Sequence, residues 1–195
     1  MKKILIIAFL ILSIDAAIDA QSTPLNDERD GKTYSTVIIG EKTWMAENLD
    51  FDAGEGCWAY DNDEENAKIY GRLYNWETAT NACPTGWHLS TDEEWDNLVI
   101  SLGGALAAGE KLKETGTENW LEPNLATNET GFSGLPGGKY EFGDFMNLQK
   151  TASFWTSTES TGNKSYCKGL RNKTITVKST DCYQNDAFSV RCIKD

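Results

Sequence analysis

The groups that could do chemistry in this chain are few. There is one histidine, His88, between Trp87 and Leu89 in the short apolar run Gly86–Leu89. A single imidazole excludes a His-rich zinc site and allows at most one Ser-His-Asp or Cys-His arrangement. Flanked by two apolar residues, it reads as a hydrogen-bonded structural residue rather than a general base. Asp61, Asp63 and Glu65 alternate in DNDEEN like the start of a calcium loop, but the glycine at the sixth position and the distal Glu are missing. A solvated acidic loop is the stronger reading there, beside the calcium one. The run Asp92-Glu93-Glu94 puts consecutive carboxylates on one helical turn, where they cannot converge on a substrate. Trp120, Tyr140, Phe142, Phe145 and Trp155 lie in or beside a loop-rich middle. Aromatic faces of this kind stack on sugar rings or anchor protein interfaces.

The start MKKILIIAFLILSIDAAIDAQ has two lysines, an apolar core and small residues before Gln21. That pattern predicts a signal peptide over residues 1–20, cut after Ala20, with an apolar core too short to span a bilayer. The competing reading is a retained anchor. Cleavage would remove Lys2, Lys3, Asp15 and Asp19, so the net charge would stay at −12. The mature chain is therefore expected to be secreted, periplasmic or on the cell surface, with no membrane contact. Its acidity repels phosphate backbones and argues against nucleic acid. The five cysteines, at 57, 83, 167, 182 and 192, are expected to form bridges in such a compartment. Five is odd, so at least one is unpaired or joined to another chain.

Several local signals place the elements around these groups. Residues 21–30 are polar and predict a flexible leader, followed by one domain over 31–195. β-Branched and aromatic residues flank Gly40-Glu41, which predicts a hairpin with a type II′ turn. Residues 51–76 are acidic and aromatic with little periodicity and predict a packed-down loop. YNWETATNAC predicts a helix stopped by Pro84, and GWHL a strand. Thr91 and Glu94 form a capping box ahead of a helix that buries Trp95, Leu98 and Val99. Gly103-Gly104 ends that helix, and residues 104–150 predict long loops with one short helix near Glu110–Glu114. Strand patterns return in SFWTSTE, SYCKGLR, TITVKST and FSVRCIK, with a tight turn expected at Asn172-Lys173. The expected class is α+β: two main helices, an antiparallel sheet and a long irregular loop region.

The segments DGKTYSTVIIGEKTWMAENLDF, YGRLYNW, CPTGWHLSTDEEW, KLKETGTENW, TNETGFSGLPGG, FWTSTE and SVRCIKD together resemble the Fibrobacter succinogenes major paralogous domain family. More distantly, WETA followed by GWHLSTDEEW is similar to formylglycine-generating-enzyme-like domains, which share a fold with C-type lectins. The resemblance implies a single C-type-lectin-like domain whose first and last strands meet, with loops forming one face. It also implies bridges Cys83–Cys192 and Cys167–Cys182, leaving Cys57 unpaired.

The same resemblance directs attention to Glu122-Pro123-Asn124, which follows Trp120. In sugar-binding C-type lectins this tripeptide, with a cis proline, offers oxygens to calcium and to sugar hydroxyls. The family's partner element, Trp-Asn-Asp, has only Asp181 to match it here, and a plain Pro-Asn turn is the competing reading. An oxidase of the formylglycine-generating type would need a copper-binding cysteine pair, and Cys182 and Cys192 are better accounted for as bridges. The functional expectation is a non-catalytic exported module without a required cofactor. Its loop face, with Trp120, Glu122, Asn124 and Trp155 as candidate contacts, would bind a glycan or an envelope protein. A purely structural envelope or adhesin component is the alternative. Neither reading sets the oligomeric state.

Overall fold

A computed structural model describes residues 22–195, so the signal-peptide reading of residues 1–20 lies outside the described part. The expected leader is not loose where it is described. Leu25 is buried in the core, Asp27 is fully enclosed and paired with Arg29, and the Arg29 guanidinium sits 3.7 Å above the Phe51 ring. β1 (Leu25–Asn26) pairs with β2 (Thr33–Tyr34), which ties this segment to the domain.

The first hairpin forms as expected. β3 (Thr36–Ile39) and β4 (Lys42–Met45) pair with Ile39 opposite Lys42, leaving Gly40-Glu41 as a two-residue turn. Gly40 has φ +63° and Glu41 does not enter the left-handed region, which fits a II′ turn. The next segment differs from the loop expected over 51–76. It carries β5 (Cys57–Trp58), then a helix, α1 (Glu64–Tyr70), then β6 (Leu73–Asn75). Asp63 caps α1 by accepting from the Glu65 backbone N–H at 3.0 Å. The acidic run is thus a helix start, with Glu64 and Glu65 at the positive end of the dipole.

α2 (Trp76–Ala82) is capped by Asn75 and ends before Pro84, and β7 (Trp87–Leu89) follows. α3 (Asp92–Ser101) opens with the Thr91/Glu94 capping box and buries Trp95, Leu98 and Val99. α4 (Ala108–Leu112) is the short helix expected near 110. Four α-helices therefore occur among the described residues, not two, and the class is α+β.

The second half holds β8 (Lys139–Glu141), β9 (Asp144–Met146), β10 (Thr151–Glu159), β11 (Lys164–Arg171), β12 (Lys178–Tyr183), β13 (Ala187–Phe188) and β14 (Cys192–Lys194). They complete three antiparallel sheets beyond β1–β2, in the orders β3-β4-β14-β7, β5-β6-β13-β8-β9 and β10-β11-β12. The last strand thus sits between the first hairpin and β7. The tight turn expected at Asn172-Lys173 is absent: residues 172–177 form the connection, and Gly169 faces Lys178. Asn172 is buried there, its Nδ2 donating to the Leu121 carbonyl, so it cannot sit at an exposed turn tip.

Strand β10 divides the core. Phe154 and Trp155 are consecutive and point to opposite faces. Phe154 joins Trp44, Trp95, Trp120, Phe132 and Leu170, while Trp155 joins Tyr74, Phe188 and the cysteines. Arg191 ties the irregular middle to this frame. It is fully buried and donates to the carbonyls of Met45, Phe132 and Ser133 and to Asn48 Oδ1. Burying a guanidinium is tolerable only with its donors satisfied, and here they hold three chain segments together.

Candidate functional site

The three-stranded sheet β10-β11-β12 has one face packed on α3 and one face that is partly open. Alternation puts Cys167, Gly169 and Arg171 of β11 on the open face, beside Thr151 and Ser153 of β10 and Lys178 and Thr180 of β12. In register, Ser153, Gly169 and Lys178 form one row across the sheet, and Thr151 and Arg171 the next. At one end the Trp155–Phe188 cluster closes the face. Beyond it a cleft of about 120 Å³ opens between the sheet and Lys139 and Glu141 of β8. A second cleft of about 270 Å³, between residues 147–151 and the β11–β12 connection, shares Asn147, Thr151 and Arg171 with the first. The two make one groove.

Its charge is unlike that of the rest of the molecule. Lys150, Arg171, Lys173 and Lys178 line the groove, are exposed, and make no ion pair among the described residues. Only the Lys139–Glu141 pair spans 2.5 Å at its wall. Asp186, just before β13, is buried nearby. Burial and the Glu141 carboxylate push it up to about 6, against the pull of Lys139.

The expected contact residues are placed as follows. Trp120 and Trp155 are fully buried, with their indole N–H groups donating to Gly134 O and Tyr74 O. Neither ring can stack on a ligand, which corrects the expectation for both. Glu122 is exposed and its bond to Pro123 is cis. Asn124 spends its Nδ2 on the Glu114 and Gly116 carbonyls, and its Oδ1 is enclosed, so that oxygen does not face solvent. The tripeptide is strapped beside the groove, through Leu121 N–H to Gln149 O and Leu125 N–H to Asn172 O. Asp181 lies elsewhere. It faces Tyr166, six residues before Asn172 and so about 20 Å away along the strand, and accepts from Ser160 Oγ at 2.6 Å. The lectin-type oxygen set is therefore not brought together.

Among the described residues no group of three or more His, Cys, Asp or Glu side chains is placed to hold a metal. Asp63 is committed to its cap, and Glu65 pairs with Lys68. His88 is held at both nitrogens: Nδ1 lies 2.7 Å from Asp195, and Nε2 lies 3.1 Å from both Glu94 oxygens. With two carboxylates as neighbours, it has no nitrogen left to serve a nucleophile. Burial raises the Glu94 carboxyl, but the Thr91 N–H, His88 and Lys42 outweigh it and hold it below the usual range. Tyr140 and Phe145 pack with Trp58 and Tyr60, whereas Phe142, at the β8–β9 tip, is 83% exposed.

Cys83 is bonded to Cys192 and Cys167 to Cys182, the pairs that the resemblance implies. The second pair is diagonal, since Cys167 faces Thr180 and Cys182 faces Ser165. Cys57 is free and buried, and burial pushes its thiol up, away from the reactive thiolate. Arg171, Lys178, Gly169 and Asp186 were not singled out by the sequence. The alternation in SYCKGLR could have placed Gly169 and Arg171 on one face, but only the register shows what lies across from them.

Fold and site together define a mixed α+β domain, cross-linked by two disulfides, with a groove open on its surface. The chain belongs to the Fibrobacter succinogenes major domain family, whose pattern it matches over residues 37–194. No curated protein and no solved structure gives a significant match.

Proposed function

We propose that this is a non-catalytic exported or cell-surface module, built on a C-type-lectin-like frame, that binds a glycan through its loop-bearing face. The observation that carries the reading is the groove. It runs between residues 147–151 and the β11–β12 connection, with the Glu-Pro-Asn segment strapped beside it, and it offers hydroxyl, amide and cationic groups on the open sheet face. Neutral polar groups beside a sheet face suit a ligand rich in hydroxyls, and the rigid strands beneath keep the site in shape without cost on binding. Export is supported by the start of the sequence and by the two disulfides. A protein-binding envelope component is the second reading, favoured by the exposed Phe142 at a hairpin tip.

A glycan array probed with calcium and again with chelator tests the first reading. Binding to a defined glycan set is expected. Silence in both conditions removes the glycan reading and leaves the protein one.

A further inference from the structure

Gly169 is a glycine that the fold does not need. Most glycines here have positive φ, but Gly169 sits in ordinary extended backbone in the middle of β11. A Cβ built on it would meet nothing nearer than 3.9 Å, the Lys178 carbonyl oxygen. Glycine weakens a strand interior and is unfavourable there unless something must approach the backbone closely. Neither dihedral strain nor crowding explains it, so its effect is the gap it leaves in the sheet face. That gap is flanked by Ser153 on one side and Lys178 on the other, one row from Arg171.

The charges around the gap point the same way. The chain carries a net charge of −12, yet four of its cations stand unpaired along one groove. Exposed cations are solvated and need no protein partner, so these four are free to meet an anion, and their clustering gives the groove a locally positive field in an otherwise acidic molecule. The field of the whole protein disfavours a densely charged polyanion, whereas one carboxylate per sugar unit, spaced by hydroxyls, matches cations spaced by Thr151, Ser153 and Thr180.

Resting on the glycan reading above, we propose that the groove is the site of an acidic saccharide, a uronate chain whose carboxylate enters the gap over Gly169 between Arg171 and Lys178. Arg171 supplies the planar fork that pairs with a carboxylate, and Lys178 a point charge. The sheet hydroxyls take the sugar hydroxyls. Glu141, paired with Lys139 at the far wall, bounds the site on the side away from Arg171.

The test is calorimetric titration with oligouronates of galacturonate, mannuronate and glucuronate backbone, each beside its uncharged methyl ester. At least one acid is expected to bind and its ester to bind tenfold or more weakly, with affinity falling as salt rises. Gly169→Val fills the gap with a good strand former. It is expected to cut binding at least tenfold while the melting temperature holds or rises. Arg171→Gln and Lys178→Gln together should lose a similar factor. If an ester binds as well as its acid, the acidic-ligand inference falls and the glycan reading stands. If the acid binds Gly169→Val unchanged, the site lies elsewhere and the inference falls. If no oligouronate binds, the inference also falls, and the array of neutral glycans decides the wider reading separately.

Discussion

The two faces of the sheet β10-β11-β12 treat a basic side chain in opposite ways. On the closed face Lys168 is 1% exposed, and its ammonium lies 2.7 Å from both Asp92 and Asp96 of α3, with Ser179 Oγ at 3.1 Å. On the open face Arg171 and Lys178 reach solvent with no carboxylate partner. Strand β11 itself carries both arrangements, Lys168 and Arg171 three residues apart, with Lys178 on the neighbouring strand β12 opposite Gly169. A helix with acidic first-turn residues lies against one face, and nothing of that kind lies against the other. The lesson is that burial and pairing go together: Lys168 could be enclosed only because α3 brings two acids to it. The open-face cations need no such partner in water, so their partner can come from outside.

The contrast predicts unequal costs of removing charge. Lys168→Ala strands two carboxylates and leaves a cavity under α3. Removing one member of a buried ion pair costs about 3–5 kcal/mol, and because Asp96 keeps solvent contact the expected loss is about 2–3 kcal/mol. Urea unfolding of the oxidised protein measures it. A loss below about 1 kcal/mol would mean that the closed face does not depend on the pair.

How much of this was legible in the sequence varies with the kind of signal. The Gly40-Glu41 turn and the Thr91/Glu94 box were readable because both are local: two to four residues contain the whole physical cause. Helix α1 was missed because Asp61 and Asn62 take positive φ just before it, so the acidic run looked like loop. In fact Asp63 is its cap. Trp120 and Trp155 read as loop aromatics, but which side of the chain an aromatic faces is decided by packing partners far away in sequence. The groove was hidden for the same reason. A two-residue turn at 172 would have set Cys167 against residue 178. The longer connection, with Lys113 Nζ donating to the carbonyls of Arg171 and Thr174, sets it against Thr180 and puts Lys178 beside Gly169.

A second way to sharpen the comparison is through pH. Buried Asp186, which feels the Glu141 carboxylate of the groove wall, has a folded pKa of about 6 against an ordinary 3.8, because burial and Glu141 disfavour its charge. The folded state thus holds a proton that the unfolded state has released between about pH 4 and 6. Stability from this group is present below pH 4 and is lost as pH rises through 6. The full shift corresponds to about 3 kcal/mol, and local relaxation around the carboxyl brings it nearer 1 kcal/mol. Asp186→Asn should raise stability at pH 7 by about that amount and flatten the fall between pH 4 and 6. Unchanged pH dependence of the melting temperature would show that Asp186 is not desolvated.

The smallest effect is expected where the two faces differ most. Arg171→Gln with Lys178→Gln removes two charges from the open face, where each side chain extends into water and holds no protein carboxylate. Surface substitutions of this kind stay within about 0.5 kcal/mol. The change also makes the net charge more negative by two, which adds a small general repulsion. Urea unfolding at moderate salt should therefore give nearly the wild-type midpoint, in contrast with Lys168→Ala on the other face of the same sheet. A loss of 2 kcal/mol or more would mean that these cations are structural, tied to groups in the groove such as Glu141, and are not free to meet a ligand. A near-neutral result leaves them with no structural duty, which is the condition under which the cations along the groove are free to take an external anion.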